Sequence, residues 1–323
     1  MPAVSLGTVI AIQANFYRVQ LQAPEPTEAL GRTTAASNNS NNGPTIVLCT
    51  RRARLKKMGA RVLVGDRVRV EAIERATGRG IITAIYPRQT ELDRPPVANA
   101  DRILLVFALA EPTLDPIQLS RFLLKAEQTR IPICLCLNKC DLVSAATQQA
   151  WKERLAAWGY DPIFTSIAAS TGLDRLLEQL SGRTTIVAGP SGVGKSSTIN
   201  WLIPAARLRV GAVSGKLGRG RHTTRHVELF ELPGGGLLAD TPGFNQPDLN
   251  LGPRELPALF PEIRSRLQAR SCQFGDCQHR SEPNCAVRGT WERYEYYLQL
   301  LAELAASEER STGRETEPNV KLK

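Results

Sequence analysis

The stretch that most constrains this chain is Gly189-Pro190-Ser191-Gly192-Val193-Gly194-Lys195-Ser196, two glycines bracketing four residues and followed by Lys-Ser. Thr184 to Ala188 before it is an apolar, β-branched run of strand length, and Ser197 to Leu202 after it reads as the start of a helix. Strand, glycine-rich turn and helix in that order make a phosphate cradle. The glycines let successive backbone N–H groups turn inward, and the helix N-terminus adds its positive end. Gly189, Pro190, Ser191, Gly192, Val193, Gly194, Lys195, Ser196 and Ser197 are therefore the phosphate-binding candidates. Within them, Lys195 reaches the β- and γ-phosphates as a catalytic charge, and the Ser196 hydroxyl holds Mg²⁺. A glycine-rich turn can match this pattern by chance, so the neighbouring motifs decide the matter.

A phosphate cradle does not choose a base. The buried-strand run Ile131 to Leu137 ends in Asn138-Lys139-Cys140-Asp141, and that set suits guanine. The Asp141 carboxylate accepts from the ring N–H and the exocyclic amine together, Asn138 faces the opposite edge, and the Lys139 stem covers the ring. Adenine has no matching donor pair and would leave Asp141 unpaired. Phe164-Thr165 ends another short strand, and Ser166 opens a loop through Leu173 that supports the base. Gly236 to Ala239 runs into Asp240-Thr241-Pro242-Gly243, where Asp240 joins the magnesium shell and the Gly243 N–H faces the γ-phosphate. Four matches, each at a strand end, specify a GTP site, and the Asn-Lys-x-Asp argues against a P-loop kinase.

Between the P-loop and Asp240 lies Gly215 to His226, too rich in glycine and charge to pack, and expected to be mobile without ligand. A Thr hydroxyl from this segment completes the magnesium shell. Thr224 is the preferred donor, with Thr223 left open. After Asp-Thr-Pro-Gly stands Phe244, which cannot orient a water as Gln does. Intrinsic hydrolysis is therefore expected to be slow. His222 is the in-chain catalytic candidate, against the alternative of a structural or RNA-facing residue.

The base-reading motifs precede the P-loop, and Asp-Thr-Pro-Gly comes last. The domain reads as circularly permuted, which is feasible because domain termini tend to lie close together at the surface. With Gly220-Arg221-His222-Thr223-Thr224, Asp240 to Phe244 and the cysteine cluster below, the chain resembles the bacterial YjeQ/YloQ family of small-subunit-dependent GTPases, over roughly Gly7 to Leu304. That resemblance implies a late-acting assembly factor of the 30S subunit with 16S rRNA as principal partner.

Across 323 residues the net charge is +10 and the pI about 9.5, which points to a polyanionic partner. No signal peptide or membrane-length apolar run is visible, and the seven cysteines do not form a disulfide pattern, so a cytosolic monomer is expected. Cys134, Cys136 and Cys140 read as buried packing residues. In the first unit, 1–95, five short alternating segments predict an OB-like barrel, interrupted at 24–43 by a polar stretch expected to be disordered. Arg51, Arg52, Arg54, Lys56 and Lys57, then Arg61, Arg67 and Arg69, form a basic strip offset only by Asp66. A charge run is usually a solvated face, but beside a barrel it suits a nucleic-acid backbone. Phe16 and Tyr17 are the only early aromatics for stacking. Tyr86 to Pro96 reads as a linker into a doubly wound α/β unit, 96–245.

In the third unit, 246–323, Leu256 to Leu267 reads as helical and broken at Pro261. Cys272, Cys277, His279 and Cys285 fall within fourteen residues and satisfy a closed, structural Zn²⁺ site. Free or redox-active cysteines are the competing reading. Trp291, Tyr294, Tyr297, Leu298 and Leu301 recur at helical spacing, so an amphipathic helix is predicted over Thr290 to Ala306. The reading is a GTP hydrolase between an RNA-gripping barrel and a zinc module. The alternative is a nucleotide-gated RNA-binding module with no dedication to the ribosome.

Overall fold

The structure, a computed structural model, describes residues 4–22, 45–74, 76–93, 95–204, 227–240, 248–289 and 291–315. Strands β1 (Ser5–Gln13), β2 (Phe16–Leu21), β3 (Ile46–Arg51), β4 (Arg67–Glu74) and β5 (Arg79–Ile85) close into a barrel in the order β1-β2-β3-β5-β4. Only the β3–β5 pair is parallel. Alternation sets the faces: Val68 and Val70 point inward while Arg67 and Arg69 point out. Val9, Val19, Val47, Cys49 and Ile82 complete the interior. So tight a closure needs missing side chains. A Cβ on Gly7 would lie 2.6 Å from Val19 Cγ1, and one on Gly80 2.8 Å from Val70 Cγ1. This is the expected five-stranded OB-like barrel. Tyr17 is buried in its core, so of the two early aromatics only Phe16 is exposed.

The segment after the barrel is not a loose linker. Strands β6 (Glu91–Asp93) and β7 (Pro96–Ala98) form a hairpin that folds back, with Val97 fully buried and bridged to Val64. Asn99 Nδ2 donates to Gly65 O at 3.0 Å. Arg88 forks onto the fully buried Asp66 at 2.7 and 2.9 Å, and that hydrogen bond holds the guanidinium's pKa above its ordinary value despite the opposing desolvation. A carboxylate with no water must be paired, and the Pro-rich exit supplies the partner.

The central sheet has six strands in the order β10-β9-β8-β11-β13-β12. These are β8 (Arg102–Ala108), β9 (Ile133–Asn138), β10 (Ile163–Phe164), β11 (Thr184–Ala188), β12 (Leu229–Glu231) and β13 (Leu237–Asp240). All pairs are parallel except β12–β13. Both faces are covered, which is why β8 reads as a continuous apolar run. Ile103, Leu105 and Phe107 meet helices α2 (Pro116–Gln128) and α3 (Ala145–Ala157); Leu104, Val106 and Ala108 meet α4 (Leu173–Leu180) and α5 (Lys195–Leu202). The first helix, α1 (Ala53–Lys57), is five residues long and follows β3 in the barrel. From β11 the chain steps to β12 and β13 on one side, while β8, β9 and β10 lie on the other. The crevice at that switch is where such sheets bind ligands.

The C-terminal part holds a 3₁₀ turn (Leu256–Leu259), α6 (Pro261–Ala269) and α7 (Tyr294–Glu315). Pro261 breaks the helical stretch as expected and occupies the first turn of α6, where its missing N–H costs nothing. Helix α7 starts at Tyr294 rather than Thr290, because Trp291 is held off the helix with its Nε1 donating to Val287 O at 3.1 Å. It also runs past Ala306, through Ser307-Glu308-Glu309-Arg310, where Glu and Arg favour helix, to Glu315. Phe260 packs edge to face on both Trp291 and Tyr297, and Leu124 of α2 joins them. Arg293 and Glu262 form a buried pair at 2.7 and 2.5 Å, with the guanidinium 4.6 Å from the Trp158 ring. Trp158 Nε1 to Glu292 at 2.8 Å and Arg264 to Glu127 at 2.9 Å add to this seam.

Candidate nucleotide and metal sites

Strand β11 ends at Ala188 between β8 and β13, and the chain turns through Gly189 and into α5 with Gly194 as its cap. Gly189 and Gly194 have φ of +137° and +97°; a Cβ at the first would lie 2.1 Å from Val106 O, and at the second 2.3 Å from Asn138 Nδ2. Only glycine fits either position. Lys195 Nζ lies over the loop, 2.8 Å from Gly189 O and 2.5 Å from Pro190 O. Those carbonyls hold the ammonium where phosphate oxygens would compete for it. Helix α5 begins at Lys195, two residues before Ser197, so Ser196 sits in its first turn with backbone N–H groups that have no helical partner.

The base-reading motif lies at the end of β9, next to the loop. Asn138 is 2 % exposed; its Nδ2 donates to Val193 O at 3.0 Å and its Oδ1 accepts from Thr165 at 3.2 Å. The sequence places Asn138 at the opposite edge of the base; in the structure its side chain is also a strut between the base and phosphate loops. Nothing in the spacing of the two motifs could show that, since 55 residues separate the partners. Lys139 adopts a left-handed φ of +58°, and its Nζ reaches the Glu111 carbonyl. Asp141 is exposed on the short turn after it. Ser166 is fully buried, its Oγ accepting from Ala169 N at 3.0 Å, and its backbone pairs with Thr171 across the base-side loop. Ser166 therefore shapes that loop through its backbone and hydroxyl.

Asp240 closes β13, with its backbone in register with Val187 of β11. His222, Thr223, Thr224, Gly243 and Phe244, the rest of 215–226, and all of 24–43 lie outside the described residues. Cys134, Cys136 and Cys140 are buried as expected, and burial pushes the Cys136 thiol up to about 12. These are packing groups.

Cys272, Cys277, His279 and Cys285 present one donor atom each, all within 4.8 Å of one another. His279 Nδ1 lies 3.6 Å from Cys272 Sγ and 3.4 Å from Cys285 Sγ, and the two sulfurs are 3.9 Å apart. Metal–sulfur bonds of about 2.3 Å in a tetrahedron put sulfurs about 3.8 Å apart, so the set fits a four-coordinate ion. Its surroundings fit too. Burial raises the Cys285 thiol, but N–H groups of Arg288 and Val287 aimed at its sulfur, with hydrogen bonds from Cys277 and Cys272, lower it overall. Burial lowers His279, which keeps the imidazole neutral and able to ligate. Tyr294 and Tyr297 of α7 donate to the carbonyls of His279 and Gln278 at 2.8 and 2.5 Å, tying the knuckle to the helix.

The basic strip is partly neutralised. Arg69 pairs with Glu71 at 2.8 Å, Arg52 lies 3.8 Å from the same carboxylate, and Arg51 bonds the Ala60 carbonyl. Arg54, Lys56, Lys57, Arg61 and Arg67 stay exposed. Among the described residues, no helix is long and apolar enough to cross a membrane.

Comparison with known proteins agrees with this geometry. Residues 85–250 match the RsgA GTPase family. Over 98% of its length the chain is 57% identical to the small ribosomal subunit biogenesis GTPase RsgA of Trichormus variabilis, of which the match spans 87%. Among solved structures, YjeQ from Thermotoga maritima superposes with a TM-score of 0.74 at 28% identity, over 94% of this chain and 99% of that one. YloQ, a circularly permuted GTPase, superposes with a TM-score of 0.74 at 31% identity, over 94% of this chain and 96% of that one.

Proposed function

The chain belongs to the RsgA GTPase family, and from that premise we propose that it hydrolyses GTP in late maturation of the small ribosomal subunit, with 16S rRNA as its principal partner. The observation that carries this reading is the Asn138–Val193 strut, which sets a guanine-type motif against a phosphate loop in one crevice. Water attacks the γ-phosphate, and the protein contributes position and charge rather than a covalent intermediate. Asp141 selects guanine, with Lys139 and Ser166 lining the base side. Lys195 leaves the Gly189 and Pro190 carbonyls for phosphate oxygens, and the N–H groups from Gly189 through Ser197 wrap the phosphates. Ser196, Asp240 and Thr224, with Thr223 as second choice, would hold Mg²⁺, which would supply neutralisation of the phosphate charge. Gly243 would face the γ-phosphate, and His222 would place the attacking water that Phe244 cannot.

Cys272, Cys277, His279 and Cys285 would hold one Zn²⁺; three thiolates and an imidazole favour that ion, and four protein ligands leave no position for chemistry. The three units, 1–95, 96–245 and 246–323, divide the work into RNA grip, GTP hydrolysis and zinc-stabilised docking in a cytosolic monomer. Single-turnover GTP hydrolysis with and without small subunits tests the reading. Slow turnover alone and marked stimulation by small, not large, subunits is the expected result; equal rates in all three conditions would overturn it. The same assay on His222→Ala separates a catalytic histidine from a structural one.

A further inference from the structure

Strand β1 belongs to two cores at once. Its register on β2 slips between Val9 and Ala11, and that bulge turns Val9 into the barrel while Ile10 packs with Val227 and Leu229 of the GTPase core. At the same place the backbone of Ala11 pairs antiparallel with Glu228, so the barrel strand caps the β12 edge of the central sheet. The junction is fastened by Arg18 of β2, whose Nη1 lies 2.5 Å from Glu228 Oε1. On its other side β12 pairs with β13 through Leu229↔Ala239. Continuing that register by one residue sets Glu228 opposite Asp240. Glu228 thus stands between the barrel and the strand end that carries a magnesium-site residue. It also follows Thr224 by four residues, a span of at most about 14 Å of extended chain.

We propose that Glu228, held by Arg18 and Ala11, is a positioning residue through which the barrel's engagement with RNA sets the geometry of the magnesium side of the GTP site. The inference rests on the reading of this chain as a subunit-stimulated GTPase. An edge strand shared by two packed bodies moves with both, so a shift of the barrel is passed to β12 and, through the ladder, to the end of β13. By reciprocity, the nucleotide state must also be felt in β1.

Two measurements on the full chain test this. In hydrogen exchange without ribosomes, amides of β1 around the bulge are expected to differ between the GTP-analogue and GDP forms, and Glu228→Gln is expected to erase the difference. Identical wild-type exchange in the two forms overturns the proposal. In single-turnover hydrolysis, the ratio of subunit-stimulated to unstimulated rate is expected to fall about tenfold in Glu228→Arg and to recover in Arg18→Glu/Glu228→Arg. A structural role alone would lower the stimulated and unstimulated rates together and leave their ratio unchanged. An unchanged ratio in Glu228→Arg also overturns the proposal. A nucleotide-dependent difference in β1 without any wild-type stimulation leaves the junction standing and removes the small-subunit reading instead.

Discussion

At the scale of single residues, the nucleotide site depends on atoms that cannot be exchanged. Asp141→Asn reverses one hydrogen-bond direction, so GTP affinity is expected to fall by about 100-fold or more while xanthosine triphosphate binding appears. Titration with both nucleotides reads this; retained GTP affinity with no xanthosine triphosphate binding would remove Asp141 from base selection. Gly194→Ala puts a methyl 2.3 Å from Asn138 Nδ2 at a φ of +97°. A stability loss of about 2 kcal/mol in urea unfolding, with nucleotide binding lost, is expected, since strain and a broken strut act together. Lys195→Ala is expected to abolish hydrolysis with the circular dichroism spectrum unchanged. Substantial retained turnover would take the P-loop out of the mechanism.

At the scale of elements, α7 and the metal knuckle depend on each other. The knuckle has few apolar residues, and its fold is closed by the Tyr294 and Tyr297 bonds to backbone carbonyls and by the four donors. Metal binding of this kind contributes roughly 10–16 kcal/mol to folding. Cys285→Ser is therefore expected to lose the bound metal and to unfold the start of α7, read by metal analysis and by exchange of Tyr294 to Leu301. Freshly purified, reduced wild-type protein without about one equivalent of metal would refute the site. The Arg293–Glu262 pair makes a second element-level point. Removing one partner of a buried ion pair leaves a buried charge, so Glu262→Ala is expected to cost about 3–5 kcal/mol in denaturant unfolding. Glu262→Ala within experimental error of wild type would show the pair to be solvated.

At the scale of the whole molecule, the chain carries a net charge of +10, and the barrel's basic strip is only partly free. Arg51 is occupied with Ala60 and with the Tyr17 ring, and Arg52 and Arg69 share the single carboxylate of Glu71. The cations left to grip a phosphate backbone are Arg54, Lys56, Lys57, Arg61 and Arg67. Reversing Arg54, Lys56 and Lys57 is expected to weaken small-subunit binding and to flatten its dependence on log salt by about 3 in slope, as counterion release requires. A slope unchanged from wild type would make the strip a solvated face.

The sequence by itself determined which loop has the form of a phosphate cradle, which carboxylate closes the Asn-Lys-x-Asp, which four metal-ligating side chains converge, and that the motifs run in permuted order. Those features are local, because a phosphate turn, a strand end and a metal knuckle are each built from residues close together in the chain. Strand existence and the break at Pro261 were legible for the same reason, through alternation and the absent N–H of proline. Only the tertiary structure decided what depends on partners far apart. It converted the Pro-rich exit from a linker into a hairpin pinned by Arg88 on Asp66, and it gave Asn138 a further place as a strut under Val193. It also divided β1 between two cores at Ala11 and Glu228. Burial and long-range pairing fix these, and a side chain's neighbours across 55 or 210 residues leave no trace in its local pattern.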